Sequence, residues 1–296
     1  MSMVTTTAGE IGEALAESIR EEMSKATAGS PIATYIESNP PISWDQISSA
    51  GWDLVGIPDD EDSASLRDLV EIGLAWGQTL IQLPLVTSLM VKRHSPAAAE
   101  FDGPVTLGVR LKTLAEGCTY VPFGQVEGIG MVTTLDGPGE VTMVEAGAPR
   151  DFAASLLAIT GSLETTLTAE ARREFAVVWA AEAAGRARAV LKEAIEFVKQ
   201  REQFNKPVGS FQAVKHLLAN AHIAAELAET SAIWASLAPE TSELAVRQSF
   251  RESQASLHHS IQTFGGLGFT WEMGLHFSLR HVAALRELAL GVIDDA

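Results

Sequence analysis

The chain has 296 residues, 46% hydrophobic and 6% aromatic, and its 38 acidic against 21 basic side chains leave a formal charge of -17. That length suffices for one large domain or two to three small ones with a real core, and the acidic balance, with no basic patch to offset it, disfavours nucleic acid and anionic lipid as partners. The single cysteine, Cys118, excludes an intrachain disulfide and a cysteine-based zinc cluster.

Residues 8–28 predict an amphipathic helix, with Ile11, Leu15, Ile19 and Met23 four apart on one face. Asn39-Pro40-Pro41 breaks it. Trp44-Asp45-Gln46-Ile47 reads as a short helix, and Gly51-Trp52-Asp53-Leu54-Val55-Gly56-Ile57-Pro58 as an extended or turning stretch before an acidic, solvated loop at 59–62. Ser65 followed by Asp68 has the form of a helix start, and Leu66, Leu69, Val70, Gly73 and Leu74 mark one face up to Gly77. Another helical stretch, broken near Pro84, reaches Ala99. Between Phe101 and Glu164 glycines punctuate short Val/Thr-containing runs at 104–109, 130–134 and 140–144, which predicts small antiparallel strands.

From Thr168 the chain returns to alanine-rich helix. Phe175, Val178, Trp179, Val190, Ala194, Phe197 and Val198 form an apolar stripe along 170–202. Ser210 precedes a second long helix with the stripe Val214, Leu217, Leu218, Ala221 and Ala225. A third spans 242–264, and a fourth spans 273–292 with Leu275, Leu279, Val282 and Leu285. Four long helices with short connections predict an antiparallel bundle. The expected organisation is mainly α with a small β-module: a helical domain at 1–100, a reduced β-domain at 101–166 and a helical bundle at 167–296.

Common catalytic templates are absent. There is no Gly-x-Ser-x-Gly elbow, no His-Glu-x-x-His helix, no Walker loop and no Gly-x-Gly-x-x-Gly. His258 and His259 are adjacent and point about 100° apart on a helix, poorly placed to share a metal, and His216, His276 and His281 carry no individual signal. No apolar run reaches the roughly 18 residues of a membrane span, and Met1-Ser2-Met3-Val4 lacks the features of a signal peptide. A cytoplasmic protein is expected.

Two segments stand out together. Arg201-Glu202-Gln203-Phe204-Asn205-Lys206-Pro207-Val208-Gly209-Ser210-Phe211-Gln212 closes one long helix and opens the next, and Ile261-Gln262-Thr263-Phe264-Gly265-Gly266-Leu267-Gly268-Phe269 ends a helix in a glycine cluster. Taken singly, each is an ordinary helix stop. As a pair, the sequence resembles the acyl-CoA dehydrogenase family, flavoenzymes that remove two hydrogens from an acyl-CoA thioester. Arg201, Phe204, Phe211, Gln212, Gln262, Gly265, Gly266, Gly268 and Phe269 follow that family's motifs in order, and Gly51-Trp52 with Ile57-Pro58 resemble its N-terminal words.

The resemblance implies that Arg201, Phe204, Gln262, Gly265 and Gly266 contact the ADP half of an FAD bound mainly by a neighbouring subunit. A guanidinium matches diphosphate oxygens with paired donors, and a glycine turn lets backbone N–H groups approach an anion. Asn205 stands where the family has glycine and tolerates the left-handed conformation better than most residues. The family's middle domain is a larger β-barrel covering the flavin ring, so the reduced module here implies an incomplete flavin site within one chain.

The resemblance also locates the base that removes the α-proton. In many members it is a glutamate seventeen residues beyond the Gly-Phe-x-x-Glu stretch; here that stretch is Gly268-Phe269-Thr270-Trp271-Glu272, Arg280 matches a family arginine, and the expected base position is Ala289. Glu287 is the nearest carboxylate, but two residues on a helix rotate it about 200°. Other members place the base on the first long helix, at Phe175, which leaves Glu174 as a candidate only after a one-residue slip. Its plainer reading is a solvated acid at a helix start. Glu182 is a third candidate, and its plainer reading is an i, i+4 ion pair with Arg186.

FAD anchors without a base match the subunit of actinobacterial α2β2 steroid-CoA dehydrogenases that lacks the catalytic carboxylate. The resemblance thus implies FAD as cofactor, an acyl-CoA substrate of steroid origin and a second dehydrogenase subunit that supplies the base. Two alternatives remain at this stage: a self-sufficient homo-oligomer using Glu182, Glu174 or Glu287, and a non-catalytic assembly subunit that binds no FAD.

Overall fold

Thr168 begins the longest element by accepting a hydrogen bond from the Ala171 N–H at 3.1 Å, and the helix it caps runs unbroken over Ala169–Gln200. The computed structural model describes residues 7–27, 40–58, 63–111, 118–135, 140–144, 157–160 and 165–294, so the expected loop at 59–62 lies outside them. In chain order the described helices are α1 (Glu10–Ala26), α2 (Trp44–Ser49), α3 (Leu66–Gly77), α4 (Leu85–His94), α5 (Pro96–Ala99), α6 (Ala169–Gln200), α7 (Gln212–Leu237), α8 (Ser242–Thr263) and α9 (Leu275–Asp294). The mainly helical reading holds: α6, α8 and α9 lie within two residues of their expected bounds, and α7 starts two residues after Ser210.

Local chemistry sets several boundaries. At α3 the Ser65 hydroxyl accepts from the Asp68 N–H at 3.1 Å while Asp68 Oδ2 accepts from the Ser65 N–H at 2.8 Å, the capping box anticipated from the sequence. Asp68 Oδ1 also accepts from the Gly9 N–H at 2.6 Å and so ties the start of α1 to the start of α3. Ser43 and Gln46 form a second capping box at α2. Leu15, Ile19 and Met23 are buried as the four-residue spacing required.

The small strands between α5 and α6 correct one expectation. β3 (Gly130–Val132) runs antiparallel to β4 (Val141–Met143), and β2 (Cys118–Val121) antiparallel to β5 (Leu157–Thr160), but β1 (Val105–Leu107) pairs parallel to β3. The reason is topological: β2 leaves to pair elsewhere, so the chain crosses over before β3 and returns in the same direction as β1.

A continuous hydrophobic core joins Leu15 of α1, Trp76 of α3, Leu107 of β1, Trp179 of α6, Phe250 of α8 and Val292 of α9. Its tightest seam is between α3 and α6. A Cβ added at Gly77 would lie 1.9 Å from Glu182 O, and one at Gly185 would lie 2.1 Å from Leu74 O, so the two backbones meet with no room for a side chain. The stripe expected on α7 is corrected in part, since Ala221 and Ala225 are buried as expected. Its buried residues are Ala221, Ala224, Ala225, Ala228, Ala232 and Ala235, while Val214, Leu217 and Leu218 are only partly covered. Alanine serves there because short side chains let α7 pack close to its neighbours.

Candidate functional site

Helix α6 ends at Arg201, whose φ/ψ of −72°/118° leads the backbone out of the helix while its N–H still donates to Phe197 O at 2.9 Å. The next residues fold into a hairpin of β6 (Glu202–Gln203) and β7 (Lys206–Pro207), closed by the Val208 N–H donating to Arg201 O at 2.7 Å. The two loop residues, Phe204 and Asn205, have φ of 55° and 62°, the left-handed pair that a type I′ turn needs. Asn205 therefore keeps the turn in place of glycine. A phenylalanine in that conformation costs about 1–2 kcal/mol, and no sequence pattern announced it. Phe204 is 87% exposed and meets Phe211 edge-on at 6.1 Å, with Lys206 Nζ 4.2 Å above the Phe211 ring.

The second segment lies beside the first because Phe264, just after α8, stacks on Phe197 with ring centroids 4.6 Å apart. Gly265 has φ of 61°, a conformation that favours glycine. A Cβ on Gly268 would lie 2.8 Å from Ile261 O, whereas one on Gly266 would meet nothing within 4 Å. Packing inside the chain thus accounts for glycine at 268 and not at 266. Arg201, Phe204, Gln262, Gly265 and Gly266 are all exposed at this end of the bundle, with Phe269 and Trp271 exposed nearby in sequence. Arg201 has no ion-pair partner among the described residues. A planar cation, a glycine turn and open aromatic faces make a surface suited to a diphosphate and a planar ring.

The carboxylate candidates lie elsewhere. Glu174 is not a solvated acid: it is buried near the start of α6, with Oε2 2.9 Å from Arg93 Nε and 3.0 Å from His94 Nε2. Burial pushes its carboxyl up, but the His94 hydrogen bond and the Arg93 charge outweigh burial and hold it below its ordinary 4.5. The expected pair of Glu182 with Arg186 is also overturned. Both are buried; Glu182 Oε1 lies 2.8 Å from His281 Nε2 on α9, while Arg186 donates to Gln78 O at 2.8 Å and to Glu193 at 2.7 Å. His281, which carried no signal in the sequence, reaches Glu182 from a helix 99 residues away. Glu287 is partly exposed and contacts Arg286 at 2.8 Å, whereas Ala289 is fully buried in the core.

Position along α6 separates the two sets. Glu174 and Arg201 are 27 residues apart, about 40 Å at the helical rise, so they serve different sites. Where the start of α6, the end of α9 and the β-module meet, the chain is closed. Arg172 donates to Leu167 O at 3.2 Å and Val292 O at 3.3 Å, and a Cβ on Gly291 would be 2.9 Å from Leu111. A buried ion pair between Lys92 Nζ and Asp53 Oδ2, 2.5 Å apart, anchors the Gly51-Trp52 segment against α4. No cluster of metal-ligating side chains occurs among the described residues, and none of their helices is long and apolar enough to cross a membrane.

A helical bundle packed on a small β-module, with this motif-bearing end, defines an acyl-CoA dehydrogenase-type fold. Residues 173–291 match the family described as acyl-CoA dehydrogenase, C-terminal domain, and the chain belongs to the acyl-CoA dehydrogenase family. It is 30% identical over 269 residues to the acyl-CoA dehydrogenase FadE34 of Mycobacterium tuberculosis, a match covering 78% of this chain and 38% of that protein. It is 35% identical over 116 residues to the acyl-CoA dehydrogenase IpdE2 of the same species, covering 37% of this chain and 36% of the relative. Each match thus spans well under half the length of the relative. Among solved structures, the ChsE4-ChsE5 complex from Mycobacterium tuberculosis matches with a TM-score of 0.76 at 16% identity, covering 98% of this chain and 96% of that one. The Tcur3481-Tcur3483 steroid ACAD matches with a TM-score of 0.68 at 18% identity, with the same coverage of 98% and 96%. These two structures share the fold.

Proposed function

We propose that this chain is the base-lacking subunit of a hetero-oligomeric, FAD-dependent acyl-CoA dehydrogenase, assembled as α2β2 with a second dehydrogenase subunit. Arg201 faces the pyrophosphate, Phe204 the adenine region, and Gln262, Gly265 and Gly266 the rest of the ADP half of an FAD whose ring is covered by the partner. The flavin, when bound, supplies the hydride acceptor for α,β-dehydrogenation. This chain binds and orients, and the partner removes the α-proton. The modules are those read from the sequence, 1–100, 101–166 and 167–296.

The observation that carries the reading is the contrast between the two ends of the bundle. The motif end presents an unpaired Arg201, a left-handed Phe204 and an unoccluded Gly266, all exposed. The position expected for the base is Ala289, buried among core side chains, and the nearby acids are held by Arg93, His94, His281 and Arg286. More than half of FadE34 lies outside the match, room for a counterpart of the partner. The fold neighbours include a two-protein complex and a steroid ACAD, which supports a steroid-derived acyl-CoA as substrate.

The test is flavin content. In the complex co-purified with its partner subunit, Arg201→Ala lowers bound flavin at least tenfold, on the order of the 1.5–3 kcal/mol expected for a hydrogen bond to a charged group. Unchanged flavin would remove the cofactor role. Stoichiometric flavin and acyl-CoA turnover by the chain purified alone would overturn the two-subunit reading.

A further inference from the structure

Helix α7 is anchored on its inner side by alanines, and its outer side carries a line of exposed residues. His216, Asn220, Ile223, Leu227, Thr230 and Trp234 are all exposed, and their alternating spacing of four and three keeps them within about 40° of one line along the helix. Every large hydrophobic residue that α7 exposes lies on that line: Ile223 at 58%, Leu227 at 44% and Trp234 at 54%. The Trp234 indole is held in place, because its Nε1 donates to Thr241 Oγ1 at 3.1 Å. On the flank, Arg188 of α6 reaches Glu226 and Glu229 at 2.6 Å each, so neither carboxylate beside the line lacks a cation. Exposed aliphatic and aromatic groups in a row mark a contact surface.

The order of residues along the line says what covers it. A two-fold contact is self-complementary: residue i of one copy meets residue j of the other, and j meets i. Two antiparallel copies of α7 centred on Ala225 bring Ile223 to Leu227, Asn220 to Thr230 and His216 to Trp234, each pair twice. Aliphatic then meets aliphatic, an amide meets a hydroxyl with which it exchanges a hydrogen bond, and an imidazole meets the face of an indole.

Neighbouring registers spoil the match. A centre between Ala221 and His222 sets Asn220 on Ile223 and His216 on Leu227, and a centre between Ala228 and Glu229 sets Leu227 on Thr230 and Asn220 on Leu237. Each buries a polar group against an apolar one. Parallel packing sets His216 on His216 and lays like ends of two helix dipoles side by side.

We propose that α7 is where two copies of this chain meet, antiparallel about a two-fold axis at Ala225, inside the assembled dehydrogenase. The inference rests on the hetero-oligomeric reading above, because the face is small. Residues 216–234 span about 27 Å, and a strip about 10 Å wide covers roughly 270 Å², against about 800 Å² per partner in a stable interface. Alone it holds two copies weakly; once partner subunits gather them, the copies meet at high effective concentration. The contact also leaves the motif end free for FAD, since its centre lies about 20 Å along α7 from Gln212.

Cross-linking of the complex co-purified with its partner subunit tests the face. The double variant Asn220→Cys/Thr230→Cys, treated with a short bismaleimide, should link two copies of this chain. Neither single variant should, because the two positions are about 15 Å apart along one helix and meet only across the axis. Ile223→Asp/Leu227→Asp changes exposed positions alone and should halve the mass of the complex in sedimentation while flavin per chain is unchanged. A flavin-bearing complex whose cysteines link this chain to the partner subunit, or link nothing, or whose mass survives both aspartates, would overturn the contact. Failure of the underlying reading shows differently: the unsubstituted chain then forms no flavin-bearing complex with a second subunit, and the contact falls with it.

Discussion

Phe204 holds a bulky side chain at φ of 55° and exposes 87% of its surface, a conformation that stability alone would not select. Strain of this kind persists where something else over-determines it, and it concentrates at binding sites. Phe204→Gly relieves the backbone and removes the ring. The expected outcome is a free chain stabilised by about 1 kcal/mol whose assembled complex retains less flavin, checked by thermal melts of the chain and flavin absorbance of the complex. A gain in stability with no loss of flavin would mean that the ring touches nothing across the interface. Glu174 supplies a second residue-scale test. Its folded pKa is depressed below 4.5, so its contribution to stability is fully present above the unfolded value and is lost as pH falls through the folded one. Glu174→Gln should destabilise the chain by about 1–3 kcal/mol at neutral pH, because the partly buried Arg93 loses its charged partner. It should also flatten the pH dependence of the denaturant midpoint below pH 5. At this scale the sequence was legible where a motif is local. The two paired segments stood out by their residues, whereas a cofactor role for them and the expected base position at Ala289 came from the family resemblance. Glu182 with His281 was missed because the contact joins α6 to α9 across 99 residues, and helical spacing favoured the nearer Arg186.

At the scale of elements, the seam between α3 and α6 is where the fold is least forgiving. Gly77 and Gly185 approach the opposing backbone so closely that a methyl group has no space, and neither carbonyl it would meet is the end of a flexible side chain. Gly185→Ala should therefore destabilise by about 1–3 kcal/mol or more, although alanine is the better helix former by about 1 kcal/mol. Urea denaturation checks the sign, and a stabilised Gly185→Ala would show that the helices separate readily. Helix identities and ends were legible because caps and apolar periodicity are local, as at Ser65 with Asp68 and at Thr168. The parallel pairing of β1 with β3 was not. Three-residue strands carry almost no register information, and which edge a strand joins depends on where the intervening β2 goes. The alanine face of α7 was legible only in part: Ala221 and Ala225 stood in the expected stripe, but Ala224, Ala228, Ala232 and Ala235 did not, because alanine scores weakly as an apolar residue while close helix packing selects it.

For the whole molecule, buried and exposed groups are distributed unequally between the two ends of the bundle. One end offers the exposed motif surface, and the region where a base would stand is filled by Ala289, Gly291 against Leu111, and Arg172 bridging Leu167 to Val292. Restoring the family's carboxylate should therefore not restore catalysis. Ala289→Glu places an acid in the core with no partner, and burial raises its pKa. Because the folded state then holds its proton more tightly than the unfolded state, stability falls as pH rises above about 4.3, the unfolded value, by several kcal/mol at neutral pH. The expected result is an isolated Ala289→Glu chain with a lower thermal midpoint at pH 7 than at pH 5 and no acyl-CoA turnover. Measurable turnover by that variant would show that a closed active site had been one residue from working, and would return the catalytic role to this chain.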